Sequence, residues 1–227
     1  MIKERVQKIL RELPPGVKLV GAAKTRTPEE ILEAIDGGLE IVGENYVQEA
    51  ERAVDAIGAK VKWHMIGHLQ KNKVTKAVRV FDMIETVDSI KLATEIDRCC
   101  GKIGKTMPVL VEINSGGEER KSGVLPEESV KLIREMAGLP RIRVMGLMTM
   151  GPVSEDPEES RPYFRKTREI FEQLRLLDVP DTEMTCLSMG MSDTYRIALE
   201  EGANLIRIGE LIFGERKSNR APAGGGD

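Results

Sequence analysis

The chain has 227 residues, which at about 150 residues per domain is one or two ordinary domains or one larger α/β barrel. Hydrophobic residues make up 41% and charged residues 31%, and 34 basic side chains stand against 37 acidic ones for a formal net charge of −3. This balance argues against disorder, against a nucleic-acid surface, which needs clustered excess Lys and Arg, and against a membrane span, since no apolar run approaches ~18 residues.

The amino terminus, MIKERVQKIL, places Ile2, Val6, Ile9 and Leu10 at helical spacing among charges and lacks the apolar centre of a signal peptide. A cytoplasmic location is therefore expected. Pro14, Pro15 and Gly16 end that helix. Eight apolar, β-branched runs follow: 17–23, 39–43, 61–66, 83–87, 109–113, 143–148, 184–187 and 205–208. Helix-like segments lie between them at 28–34, 46–57, 71–78, 90–100, 126–136, 158–177 and 193–201, several opening on a cap signal such as Thr27 with Pro28 and Glu30, or Ser192 before Asp193. Helices between strands impose parallel pairing. Eight such units at ~28 residues each predict a single α/β domain, a (β/α)8 TIM-type barrel with an extra N-terminal helix, over residues 1–216. The alternative is an open sheet. Residues 217–227, rich in Ser, Ala, Pro and Gly, read as a disordered tail. The three cysteines, Cys99, Cys100 and Cys186, have no metal or redox spacing and read as reduced thiols.

Barrels carry their chemistry at the carboxyl ends of the strands. The first strand ends on Lys24, where partial desolvation favours a nucleophilic amine, although a solvated lysine also suits a strand end. The second ends on Asn45. The third ends in the stretch from His64 to His68, which lacks the glutamate of a zinc-binding helix, so no metal is expected; His68 tops the barrel, with a satisfied structural histidine as the alternative. After the seventh and eighth strands, Ser188, Met189 and Gly190 and then Gly209 form two glycine turns leading into helix starts, the usual phosphate cup of such barrels. A tight turn without a ligand would look the same. Arg207 sits within the last strand, where burial demands an acceptor. A lysine amine, a phosphate cup and an arginine on one face suit a phosphorylated aldehyde held as a Schiff base, and pyridoxal 5′-phosphate (PLP) is the commonest cofactor of that description.

Seven motifs in order, VGAAKT (20–25), GENYVQE (43–49), WHMIGHLQKNK (63–73), VEINSGGEERKSG (111–123), GLMTMG (146–151), LSMGMSD (187–193) and RIGELIFG (207–214), closely resemble the pyridoxal phosphate homeostasis proteins, whose fold type III barrel also forms a domain of alanine racemase. The resemblance reaches Arg216. It implies that Lys24 carries the Schiff base, that Ser188, the turn through Met189 and Gly190, and Gly209 contact the phosphate, that Arg207 faces the pyridine nitrogen, and that Asn45 lies near the cofactor; His68, from its place at the barrel mouth, is a further candidate cofactor contact. Two departures are Thr194, where the family often has an acidic residue, and Tyr46, where a basic one is common.

The resemblance also implies a carrier that buffers and delivers PLP, with client apoenzymes and free amino acids as partners, and a monomer or weak dimer. Fold type III racemases need a tyrosine acid/base from a further domain as well as the lysine. Eight units consume the chain to residue 216, so no such domain is expected and no catalytic residue is assigned. The alternative is a weak amino-acid racemase or other PLP enzyme using Lys24 with Tyr46 or His68.

Overall fold

A computed structural model describes residues 1–118, 121–177 and 179–215. The tail expected at 217–227 lies outside the described residues. Among them, eight parallel strands close into a barrel in sequence order, β1 Lys18–Ala22, β2 Ile41–Glu44, β3 Lys62–Met65, β4 Met83–Val87, β5 Met107–Ile113, β6 Ile142–Thr149, β7 Thr182–Ser188 and β8 Leu205–Ile208. The ring closes where Lys18 to Gly21 pair with Leu205 to Ile208. The expected (β/α)8 barrel is the observed fold.

The helices are α1 Ile2–Glu12, α2 Pro28–Asp36, α3 Val47–Ile57, α4 Val74–Val80, α5 Ile90–Lys102, α6 Ser129–Met136, α7 Arg161–Leu176, α8 Tyr195–Glu200 and α9 Glu210–Phe213. Local chemistry fixes several of their ends. Thr27 caps α2 with a reciprocal box: its hydroxyl accepts from Glu30 N at 3.3 Å and Glu30 Oε2 accepts from Thr27 N at 2.9 Å. The helix expected from 193 begins at Tyr195 because Met191 N–H bonds Thr194 Oγ1 at 3.0 Å, forming a separate turn over 191–194. The segment at 158–177 divides into a 3-10 turn, Pro157–Ser160, and α7.

Strand alternation sorts the side chains into two cores. Outward residues such as Leu19, Val42, Trp63, Ile84 and Val109 pack against the helices. Inward residues Val20, Ile41, Ile66, Leu110, Met148 and Leu205 fill the lumen. The lumen also holds His64, Glu85, Glu112, Ser188 and Arg207, all buried. Since these polar groups could not be desolvated singly without a large cost, the pairing of His64, Glu85, Ser188 and Arg207, and the lack of a partner at Glu112 Oε2 among the described residues, define the site.

Candidate functional site

Lys24, Asn45, Arg207 and Gly209 come together, with Ile66, Met191, Ser192 and Asp193, around a cavity of about 420 Å³ at the carboxyl end of the barrel. They arrive from the ends of four strands, β1, β2, β3 and β8, and from the β7–α8 turn, as a barrel site requires. At the rim, Gly67 lies so close to the β2 end that a Cβ there would sit 2.5 Å from Asn45 O, so a side chain would push Asn45 from its place.

Beneath this cavity runs a chain of buried hydrogen bonds. Arg207 Nη1 donates to Ser188 Oγ at 2.5 Å and Nη2 to Thr149 O at 2.9 Å. Ser188 donates to Glu85 Oε2 at 2.7 Å, and the other Glu85 oxygen lies 2.7 Å from His64 Nδ1. Burial pushes the Glu85 pKa up, but the bonds and charges of His64, Arg207 and Ser188 outweigh it and hold the carboxyl below its ordinary value. An ionised Glu85 only accepts, so the proton between it and His64 stays on Nδ1. For Arg207, burial lowers the pKa, and Glu85 and Glu112 oppose that shift.

This chain explains why Ser188 does not line the cavity. β7 continues through Ser188, and alternation turns its hydroxyl into the lumen, where Glu85 and Arg207 engage it. Met189 is buried in the outer core, and Gly190, whose O accepts from Arg207 N at 3.1 Å, stands behind the lining residues. The cavity is lined instead by Met191, Ser192 and Asp193, and Leu211 N reaches Ser192 Oγ at 3.5 Å across the two turns. His68 lies apart from Lys24, in the neighbouring hollow, half exposed, with Nδ1 3.3 Å from Ser122 Oγ.

Three carboxyl groups were not legible as site residues from spacing: Glu44, Glu85 and Glu112. Their signal is a charge inside an apolar strand, as in MIETV and VLVEI, where burial forces pairing or protonation. Glu85 is paired. Glu44 and Glu112 each keep one buried oxygen, Oε2, with no hydrogen-bond partner among the described residues. Burial, with the charge of Glu49, lifts Glu44 from 4.5 to about 8; burial, with Asp88, lifts Glu112 from 4.5 to about 7. In both, the folded state binds a proton that the unfolded chain has released, so stability falls as pH rises from 4.5 to about 8 for Glu44 and about 7 for Glu112. Each group supplies a slope of up to ~1.4 kcal/mol per pH unit in that window. Glu44→Gln is expected to flatten the fall between pH 5 and 8, read as urea midpoints across pH; an unchanged slope would refute the assignment.

The family model described as the alanine racemase N-terminal domain matches residues 1–217, the whole of this barrel. The chain is 43% identical over 220 residues to the pyridoxal phosphate homeostasis protein of Aquifex aeolicus, covering 95% of this chain and 96% of that one. The solved structure of PipY from Synechococcus elongatus with PLP bound matches with a TM-score of 0.87 and 32% identity over 94% of this chain and 100% of PipY. Alanine racemase of Clostridium difficile shares the fold, with a TM-score of 0.82 at 18% identity, over 96% of this chain and 57% of the racemase. The chain belongs to the pyridoxal phosphate homeostasis protein family. Among the described residues no helix is long and apolar enough to cross a membrane.

Proposed function

We propose that the chain binds PLP in the Lys24 cavity and serves in the cytoplasm as a carrier that buffers and delivers the cofactor to client apoenzymes, with residues 1–216 as the binding unit and the chain a monomer or weak dimer. The observation that carries this reading is the convergence of Lys24, Asn45, Arg207 and Gly209 on one cavity of about 420 Å³, a size suited to a small cofactor. Family membership and the PLP bound to PipY support it.

The donor set fits the group. Lys24 would hold the aldehyde as a Schiff base. The Ser192 hydroxyl and the turn through Gly209 and Glu210, which line the cavity, would hold the phosphate in place of Ser188 and the Met189–Gly190 backbone, which do not. Asn45 would flank the ring. When bound, PLP supplies an electrophilic carbon and a ring able to draw electrons from it. Arg207 limits the second property. Held as a cation by Ser188 and the Thr149 carbonyl, it would oppose protonation of the ring nitrogen and weaken electron withdrawal, which favours storage over turnover.

The tyrosines agree with a carrier. Tyr195 OH reaches Glu12 at 3.4 Å, and the Tyr163 ring packs beside Gly116. Tyr46 is exposed and lines a separate surface hollow with Gln48 and Lys73, while no tyrosine among the described residues lines the Lys24 cavity. Borohydride reduction of the PLP-treated protein followed by peptide mass analysis is expected to fix the cofactor on the peptide bearing Lys24. Label on other lysines alone would refute the assignment.

A further inference from the structure

A second compartment of about 360 Å³ opens beside the Lys24 cavity, with Asn45, Ile66, Met150, Val153 and Met191 common to the walls of both. Its separate wall is polar, with Glu112, His68, Lys121 and Ser122 among its residues. Glu112 follows Leu110 by two positions on β5 and so shares its inward face. It is 6% exposed, and its Oε2 has no hydrogen-bond partner among the described residues. Orphaned buried carboxyl oxygens are costly, by roughly 1–3 kcal/mol, so one on a cavity wall marks where a ligand donor completes the bonding.

The charge balance says what that donor is. Lys121 Nζ lies 2.6 Å from Glu118 Oε1, which cancels its charge, and His68 leans toward Asp88 at 3.9 Å. Glu112 feels the Arg207 charge but receives no N–H from it, since the Arg207 donors go to Ser188 and Thr149, and its Oε2 is left as the acidic acceptor of the wall without a hydrogen bond among the described residues. A cationic end suits it. In the same compartment, Ser122 Oγ, 3.3 Å from His68 Nδ1, and the Lys121 ammonium offer hydrogen-bond donors to a carboxylate.

We propose that this compartment binds a basic α-amino acid of the ornithine or lysine type, its side-chain ammonium on Glu112 and its α-carboxylate on the edge formed by Lys121, Ser122 and His68. The proposal rests on the PLP reading in that the ligand lies beside the cofactor; the binding is non-covalent.

The test is calorimetric titration of the PLP-loaded full chain, freed of unbound cofactor, with L-ornithine, with its near-isostere L-norleucine, and with 1,4-diaminobutane. Ornithine is expected to bind at least about tenfold more tightly than either, the size of one charge-assisted hydrogen bond. Glu112→Gln is expected to remove its advantage over norleucine. Equal binding of ornithine and norleucine, equal binding of ornithine and the diamine, or an ornithine preference that survives Glu112→Gln would each overturn the proposal. Should the variant not fold, the comparison of ligands on the unaltered chain decides. The absorbance of the same sample separates the two readings: cofactor absorbance without ornithine preference refutes this compartment alone, whereas ornithine preference without cofactor absorbance refutes the cofactor site alone.

Discussion

Replacing Glu85 with alanine is expected to destabilise the protein by about 3–5 kcal/mol, the usual result of removing one partner of a buried charged pair. Both oxygens of Glu85 are engaged, one 2.7 Å from His64 Nδ1 and the other accepting from Ser188 at 2.7 Å, and Arg207 Nη1 stands 4.0 Å away. Without the carboxylate, Arg207 becomes a buried cation whose hydrogen bonds go only to neutral oxygens, and His64 and Ser188 each lose an acceptor. Glu85→Gln is expected to lie between, because the amide oxygen can still accept from Ser188 and the amide nitrogen can donate to His64 Nδ1 in its other tautomer, but the negative charge facing Arg207 is lost. Urea unfolding at constant slope reads the change directly. The pH dependence has the opposite sign to that of Glu44. The folded Glu85 pKa lies below its ordinary 4.5, so its contribution is present above that value and is lost as pH falls through the folded one. A Glu85→Ala protein within about 0.5 kcal/mol of wild type would show that the chain from His64 to Arg207 does not hold the lumen together.

Gly146→Ala is expected to be at least as severe, costing more than about 4 kcal/mol or preventing soluble folding. β6 pairs with β7 through a register shift between Val144 and Gly146, a bulge that resets the alternation. Val144 and Leu147 consequently face the helices while Met145 and Met148 face the lumen. Gly146 has φ +152, and a Cβ would lie 1.8 Å from the Cys186 carbonyl oxygen, a backbone atom that cannot swing aside. Relief would need β6 and β7 to part or the bulge to move, and moving it would turn Leu147 and Met148 to the wrong faces. Gly101→Ala, near the end of α5 with nothing within 4 Å of the added carbon, is the control and is expected to be neutral or to stabilise by up to ~1 kcal/mol. Equal stabilities for the two variants would contradict the role given to the bulge.

The fold was largely legible in the sequence because a barrel strand is a short apolar run bounded by helix caps. The bounds of β4 and β8 coincide with those read from the residues. Other ends moved for local reasons. β2 starts at Ile41 and not Leu39 because Leu39 N–H is tied back to Ala34 O at 3.1 Å, closing the end of α2. α9 is a single turn after β8 and too short to leave a periodic pattern.

Legibility of the site followed the same logic. Lys24, Asn45 and Gly209 stand one or two residues beyond strand ends, where position alone predicts convergence. Ser188 lies outside the lining of the Lys24 cavity because the side it faces depends on strand phase, and one residue decides whether a hydroxyl enters the lumen or the mouth. Ser192, four residues on, reaches the cavity through a turn whose geometry is set by Thr194. Glu85 and Glu112 were passed over because their importance lies in partners 103 residues away in one case, the Ser188 hydroxyl, and in a missing partner in the other.

The central claim is that Lys24 holds PLP in this cavity. Titrating the protein with PLP and recording the ultraviolet-visible spectrum tests it most directly. The unaltered chain is expected to develop the shifted absorbance of a lysine-bound aldehyde, and Lys24→Ala, folded by circular dichroism, is expected to show only that of free PLP. An unaltered protein whose added PLP keeps its free spectrum, or a Lys24→Ala protein with the full shifted band, would contradict the account.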